Sequence, residues 1–285
     1  MTLKSAFKKE LEIIHNDLIK INDWMYENPE LAFEEFKTSE YLVNYLKKFS
    51  DSVIYPTRDL STAFEVTFGE EGPLVVLCVE YDALPEIGHA CGHNIIATAS
   101  IGAGIAIRNL VQDLGVRVKL LGTPAEEGGG GKIILLDNGA FEDAVCSMMI
   151  HPSSINVANP TFTTIQQYRV EFFGKDAHAA GSPDQGINAL DAQIQLFVNA
   201  STYRQQMTLT NRMHGVILDG GYKPNIIPSY TSSEWYLRSL NSEGLKKLEE
   251  DFLNFVNAAA ISTKCRSDVT VPDYQYAEIL NNKTM

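Results

Sequence analysis

The chain has 285 residues, of which 45% are hydrophobic and 21% are charged, and its net charge at pH 7 is −13. This length provides one large hydrophobic core or two smaller ones. The sequence has no cluster of lysine and arginine, so we expect no nucleic-acid partner. No apolar run has the length of a membrane span, and the N-terminus lacks the apolar stretch of a signal peptide. These features predict a soluble, cytoplasmic protein without a membrane partner.

Two amphipathic helices are predicted at the start of the chain. Apolar residues recur at steps of three and four from Leu3 to Tyr26 and again from Thr38 to Phe49. Between these helices lie the acids Glu30, Glu34 and Glu35, which we expect to form a solvated edge.

Apolar runs and small-residue segments then alternate along the chain. Strands are predicted at 63–68, 74–79, 116–121 and 144–150, and helices at 95–110 and 132–138. The last of these strands is expected to be buried, with Cys146 in the core, and to end at His151. This alternation predicts an α/β domain with a central, mostly parallel sheet flanked by helices. The loops at the carboxyl ends of its strands would share one edge of the sheet.

The loop after the second strand contains His89, Cys91 and His93 at every second position. Thiolate and imidazole groups are good ligands for zinc and related divalent metals. An extended Cys-x-His segment would turn Cys91 and His93 toward one face. A buried thiol beside two hydrogen-bonded histidines is the plainer alternative, and the alternating pattern favours a metal site.

Two further loops also contain potential ligands. Glu126 and Glu127 follow the third strand, and His151 follows the fourth. Adjacent glutamates before four glycines could form a solvated turn, but their position at the common sheet edge favours catalysis. One carboxylate would bind metal while the other acts as general base on water. Because extended backbone alternates side-chain directions, we expect the two glutamates not to bind the same ion.

The second half of the chain has a different order of elements. Strands and helices from about residue 164 to 275 follow the order β-α-β-β-α-β, which is typical of a ferredoxin-like α+β domain. We therefore predict an α/β catalytic domain at 1–163 and a separate α+β domain at 164–275.

Six motifs occur in the order found in a known family: DALP (82–85), HACGH (89–93), PAEE (124–127), His151-Pro152, GKDAHAA (174–180) and PNIIP (224–228). On these motifs the chain resembles the zinc-dependent aminoacylase and carboxypeptidase family, in the branch with hippurate hydrolases and auxin-conjugate amidohydrolases. Asn94 makes it most similar to aminobenzoyl-glutamate hydrolases and the dipeptidases related to them.

The resemblance implies a catalytic domain with two divalent metal ions, of which zinc is expected and manganese or cobalt are alternatives. Cys91 would bridge the two ions, and His93, Glu127 and His151 would be the other ligands. Glu126 would be the general base. The α+β domain would be an inserted lid that also forms a homodimer.

The resemblance also assigns residues around the metal ligands. Asp82 would orient a ligand, and His178 in the lid would stabilise the oxyanion, either in its own chain or across the dimer. Asn225 and Arg238 would hold the substrate. Without the resemblance, His178 could cap a helix, Asn225 could form a turn, and Arg238 could be a solvated cross-strand partner.

The chain departs from the family pattern at two points. Related branches have a histidine ligand at the position of Glu80. We do not assign Glu80 to metal. In the family, the chain returns from the lid to the catalytic domain and supplies a final histidine ligand there. Residues 276–285 are expected to be the start of that return. No histidine follows His214, which is expected to be structural, so a protein of these residues alone would lack a ligand at one metal position.

The sequence therefore predicts a metal-dependent amidohydrolase. Its small-molecule substrate would be an N-acyl amino acid, an aminobenzoyl-glutamate-like conjugate or a dipeptide. A truncated, non-catalytic homologue that acts as a dimerising or binding module is one alternative. A metal-free thiol hydrolase that uses Cys91 and His93 is another.

Overall fold

The computed structural model describes residues 2–158, 160–272 and 275–278. The chain divides into two compact units, Met1–Asn156 and Val157–Met285. Residues 279–285 of the predicted return segment, and residues 273–274 of the last predicted strand, lie outside the described residues. Within the described part of the chain, no helix combines the length and apolar character needed to cross a membrane.

The first unit contains a four-stranded sheet with helices packed on it. Its strands are β1 (Glu65–Phe68), β2 (Leu74–Val79), β3 (Arg117–Gly122) and β4 (Ala144–Met148), in the order β1-β3-β2-β4. Strands β2, β3 and β4 are parallel, and β1 is antiparallel to β3. The predicted mostly parallel sheet is therefore confirmed.

The helices described in this unit are α1 (Leu3–Glu27), α2 (Phe36–Leu46), α3 (His93–Ile107), α4 (Val111–Leu114) and α5 (Gly131–Asp137). The buried helix α3 packs between α1 and the sheet, which explains its two glycines. A methyl group at Gly102 would lie 2.7 Å from Leu18 of α1, and one at Gly104 would lie 2.7 Å from Leu120 of β3. Side chains at these positions would separate α3 from both neighbours.

Strand β4 corrects the prediction of a buried strand at 144–150. The strand ends at Met148 and lies at one end of the sheet order. Val145 and Ile150 are 66% and 73% exposed, and Cys146 is only partly buried. The apolar composition correctly predicted a strand, but it did not indicate that the strand lies at the edge of the sheet.

The second unit, as far as the structure describes it, is an antiparallel sheet with helices packed on it. Its strands are β5 (Thr164–Phe173), β6 (Ala177–His178), β7 (Arg212–Asp219), β8 (Ile226–Ile227), β9 (Tyr230–Ser239) and β10 (Arg266–Thr270). The helices are α6 (Ala189–Tyr203) and α7 (Ser242–Thr263). The main sheet has the order β10-β5-β9-β7, while β6 and β8 form a separate pair. A core around Phe172, Trp235 and Phe252 joins helices and sheet, and the predicted ferredoxin-like order is confirmed.

Candidate metal centre

Six of the predicted site residues lie together at one edge of the first sheet. Asp82 follows β2, Cys91 and His93 lie at the start of α3, Glu126 and Glu127 follow β3, and His151 follows β4. The carboxyl ends of parallel strands share one sheet edge, so loops distant in sequence meet there.

The backbone of the Cys-x-His segment is not extended. The predicted cause of the convergence of Cys91 and His93 is therefore wrong. Gly92 has a φ of 86° in the left-handed region and caps α3, so His93 begins a helix. A methyl group at Gly92 would lie 2.5 Å from Pro152. The predicted convergence nevertheless holds, because Cys91 Sγ lies 3.5 Å from His151 Nε2. Ligand atoms of Cys91, His93 and His151 all lie within 4.8 Å of one another.

Asp82 fixes the orientation of His93. Asp82 Oδ1 lies 3.0 Å from His93 Nδ1, and Asp82 Oδ2 accepts a hydrogen bond of 2.8 Å from the backbone N–H of Glu127. A carboxylate only accepts hydrogen bonds, so Nδ1 carries a proton and Nε2 faces the cluster. Burial lowers the pKa of His93, but Asp82, Glu80 and Glu126 outweigh this effect and raise it. These surroundings favour a cation at Nε2.

The adjacent glutamates approach the same imidazole. Glu126 Oε2 lies 3.7 Å and Glu127 Oε1 lies 3.8 Å from His93 Nε2. The two side chains were expected to point in opposite directions, and this expectation is wrong. Residues 126–129 form a turn rather than extended backbone. Burial raises the pKa of Glu126, and Lys132 opposes this effect in part.

Glu80 lies in this cluster, although sequence reasoning left it out. It is 1% exposed, and its Oε2 lies 3.4 Å from His93 Nε2. The available signal was its position: Glu80 directly follows a buried strand and stands two residues before Asp82, so extended backbone directs both carboxylates to one side.

Glu35 is fully buried, so the predicted solvated edge is wrong at this residue. Its carboxylate accepts hydrogen bonds from the N–H groups of Ala125 (2.8 Å) and Phe33 (3.0 Å) and from the hydroxyl of Thr62 (2.9 Å). Glu35 thus holds the residue directly before Glu126. Ala125 has a φ of 56°, a conformation that alanine rarely adopts without support.

Glu30 also has a structural role, because its carboxylate accepts a 2.8 Å hydrogen bond from the N–H of Thr38 in the first turn of α2. Of the three predicted surface acids, only Glu34 is exposed as expected. Spacing along the sequence did not show that this loop folds back over the sheet edge.

Replacing Glu35 with alanine is expected to destabilise the protein by about 3 kcal/mol or more. Three donors would lose their acceptor, and each buried donor left unpaired costs about 1–3 kcal/mol. Urea unfolding measures this loss. Glu34→Ala is the matched control and is expected to stay within about 0.5 kcal/mol of the parent. Equal stability of the two variants would contradict the role given to Glu35.

The remaining predicted site residues belong to the second unit. His178 is exposed, and its Nδ1 accepts hydrogen bonds from the N–H groups of Ala180 (3.2 Å) and Gly181 (3.0 Å). The neutral ring therefore carries its proton on Nε2. The backbone carbonyl of Asn225 accepts a 3.0 Å hydrogen bond from the N–H of Ala179. Arg238 lies on β9, half-buried.

The sequence has relatives among characterised hydrolases. Residues 163–264 match the M20 peptidase dimerisation domain. The Xaa-Arg dipeptidase of Mus musculus is 39% identical over 271 residues, which cover 90% of this chain and 63% of the relative. A p-aminobenzoyl-glutamate hydrolase component from Escherichia coli is 29% identical over 287 residues, which cover 92% of this chain and 60% of the relative. The chain thus spans about three fifths of the length of these relatives.

A solved structure supports the same assignment at the level of the fold. A dinuclear metal-binding peptidase of the M20 family from Bacillus subtilis superposes with a TM-score of 0.70 at 19% identity, covering 96% of this chain and 77% of that one. Residues 163–264 thus match a peptidase dimerisation domain, and the chain as a whole is similar to M20 metallopeptidases. The resemblance inferred from the six motifs is confirmed.

Proposed function

We propose that this chain is a metal-dependent amidohydrolase that cleaves the amide bond of a dipeptide or an N-acyl amino acid. The observation that carries the proposal is the convergence of Cys91, His93 and His151 with the adjacent carboxylates Glu126 and Glu127. The relatives named as an Xaa-Arg dipeptidase and an aminobenzoyl-glutamate hydrolase support this substrate class. Residues 1–163 would form the catalytic domain, 164–275 the lid, and 276–285 the return. A cytoplasmic location stays a prediction of the sequence.

The donor set fits divalent metal ions. His93 Nε2 and Glu127 Oε1 are buried atoms for which the described residues supply no hydrogen-bond partner. Buried polar atoms of this kind are costly unless they bind something. Thiolate, imidazole and carboxylate are the donors that zinc prefers, and manganese or cobalt would also be bound. In the proposed scheme, Cys91, His93, Glu127 and His151 would hold two divalent ions.

Bound divalent ions would supply Lewis acidity, polarising the substrate carbonyl and lowering the pKa of water. Glu126 is the proposed general base: its carboxylate accepts the proton of the attacking water and then gives it to the leaving amine. Burial, the largest cause, raises the pKa of Glu126 and so makes its carboxylate a better proton acceptor. Asp82 keeps His93 in the orientation that directs Nε2 to the centre.

The lid residues have proposed roles in binding and stabilisation. His178 would donate its Nε2–H to the oxyanion, from its own chain or across a dimer, and its Nδ1 contacts support that proton position. Arg238 would pair with the free carboxylate of the substrate, since a guanidinium binds a carboxylate through two parallel hydrogen bonds. Asn225 would also hold the substrate.

The thiol-hydrolase alternative is disfavoured by the surroundings of Cys91. Burial, followed by the neighbouring Glu127 and Glu126, raises the pKa of Cys91 to about 12. Nucleophilic cysteines instead have a pKa below the ordinary value, because the thiolate is the reactive form. Without metal, Cys91 would stay protonated and unreactive, whereas a bound divalent ion would itself deprotonate the thiol.

The lid is also the proposed site of homodimerisation. Strand β7 is at one end of the sheet order, and Val216, Ile217 and Leu218 on it are exposed. An exposed apolar edge strand is a template for pairing with another chain. We expect Val216→Lys with Ile217→Lys to convert a dimer to a monomer, as measured by light scattering. Ile261→Lys, at an exposed position of α7, is the control and should leave the dimer intact. A parent protein that is monomeric, or a dimer that survives the double substitution, would contradict this surface.

The experiment that tests the function is a substrate panel on protein loaded with zinc, manganese or cobalt. Xaa-Arg dipeptides, aminobenzoyl-glutamate and N-acetyl amino acids are incubated with the protein, and released amino acid is measured. Release from at least one class is expected. Metal-loaded protein that hydrolyses none of them would favour the alternative of a non-catalytic dimerising module.

A further inference from the structure

Glu80 stands out among the buried groups that the proposed mechanism does not use. Its side chain is 2% exposed, and the two carboxylate oxygens have different surroundings. Oε1 pairs with the ammonium group of Lys132 on α5. Oε2 has no hydrogen-bond partner in the described ranges and faces His93 Nε2 at 3.4 Å.

The charges around His93 Nε2 are not balanced by the residues beside them. Three carboxylates, from Glu80, Glu126 and Glu127, approach this nitrogen at 3.4, 3.7 and 3.8 Å. Lys132 contributes a positive charge, and it is bound to the far oxygen of Glu80. Carboxylates gathered around one nitrogen repel one another unless cations lie between them. A cation at Nε2 would therefore contact Glu80 Oε2 as readily as the two glutamates after β3.

We propose that Glu80 supplies a carboxylate oxygen to the metal centre through Oε2, while Lys132 holds the other oxygen. This inference rests on the proposed function and adds a donor to its ligand set. The Lys132 contact positions the carboxylate, because it fixes Oε1 away from the centre and leaves Oε2 directed toward His93. Glu80 would in this way bring a third carboxylate to the centre, beside Glu126 and Glu127.

The test is a metal-binding titration on Glu80→Gln, with zinc as the probe and a competing chelator to define affinity. Loss of a direct ligand is expected to weaken the binding of one of the two zinc ions. The loss of affinity should exceed the roughly 10–100-fold that is typical when a residue that only orients a ligand is replaced. Lys132→Gln is the matched variant: it removes the ion-pair partner but keeps the donor, so both ions should still bind. Circular dichroism checks that each variant is folded.

Glu80→Asp provides a second variant in case Glu80→Gln does not fold. It keeps the negative charge but shortens the side chain by one methylene, so the affinity of the same ion is expected to fall by a smaller factor. Cobalt-loaded protein adds an independent readout: visible absorption of the ion should change in Glu80→Gln, while the cobalt–thiolate band from Cys91 persists.

The outcomes separate this inference from the function on which it rests. Wild-type protein that binds zinc, with an identical isotherm for Glu80→Gln, would overturn the role of Glu80 and leave the hydrolase proposal standing. Wild-type protein that binds no zinc would overturn both. Equal weakening of zinc binding in Glu80→Gln and Lys132→Gln would show that the ion pair matters only for structure. This result would also overturn the assignment of Glu80 as a ligand.

Discussion

Glu126→Gln is expected to lower kcat for amide hydrolysis by about 10²–10⁴-fold, the range that a positioned general base contributes. Glutamine keeps the shape of glutamate but cannot accept the proton of the attacking water. The substitution should leave bound metal unchanged, because Glu126 is not one of the proposed ligands. Substrate turnover and metal content are therefore measured on the same preparation.

The matched control is Glu34→Gln, which removes an exposed carboxylate from the same unit and is expected to keep full activity. Full activity in Glu126→Gln with normal metal content would contradict the mechanism. Loss of metal in Glu126→Gln would instead make this residue a ligand, and the roles of Glu126 and Glu127 would have to be exchanged.

His178→Ala is expected to lower kcat by about 10²–10³-fold, as removal of one oxyanion donor does in other hydrolases. Nδ1 is occupied by the N–H groups of Ala180 and Gly181, so the proton on Nε2 is available to the substrate. KM and metal content should change little. His214→Ala is the control, because this histidine belongs to the same unit and contacts the ring of Tyr236. Equal activity of the two variants would remove His178 from the mechanism.

Mixed dimers would then distinguish the two arrangements of His178. If His178 acts across the dimer, one site of a mixed dimer of His178→Ala and Glu126→Gln chains would contain both intact residues. Mixing and re-equilibrating the two inactive proteins should then restore part of the activity. If His178 acts within its own chain, every site in the mixture lacks one group and activity stays at the level of the single variants.

Most of the fold was predictable because its longer elements have local signals. Strand β2 was predicted with its observed bounds, since six consecutive apolar residues are flanked by turn residues. The convergence of Cys91, His93, Glu126 and His151 was also predictable, because all of them follow strands of one parallel sheet. These inferences needed only the order of elements, and not the details of any loop.

The loops themselves could not be derived from residue types. The left-handed Gly92 and the turn at 126–129 set which side chains face the centre, and both depend on tertiary contacts such as the close approach of Pro152. Glu35 and Glu80 are charged residues that the sequence would place in solvent. They are buried because partners that lie far away in sequence, the N–H of Ala125 for Glu35 and Lys132 for Glu80, satisfy them.

The most direct test of the central claim is the hydrolysis of an Xaa-Arg dipeptide before and after removal of metal. Protein purified without chelator is assayed, dialysed against a chelator, assayed again, and then supplied with zinc, manganese or cobalt. We expect turnover to disappear with the chelator and to return with at least one metal. Turnover that survives complete metal removal would contradict the metal centre assigned to Cys91, His93, Glu127 and His151.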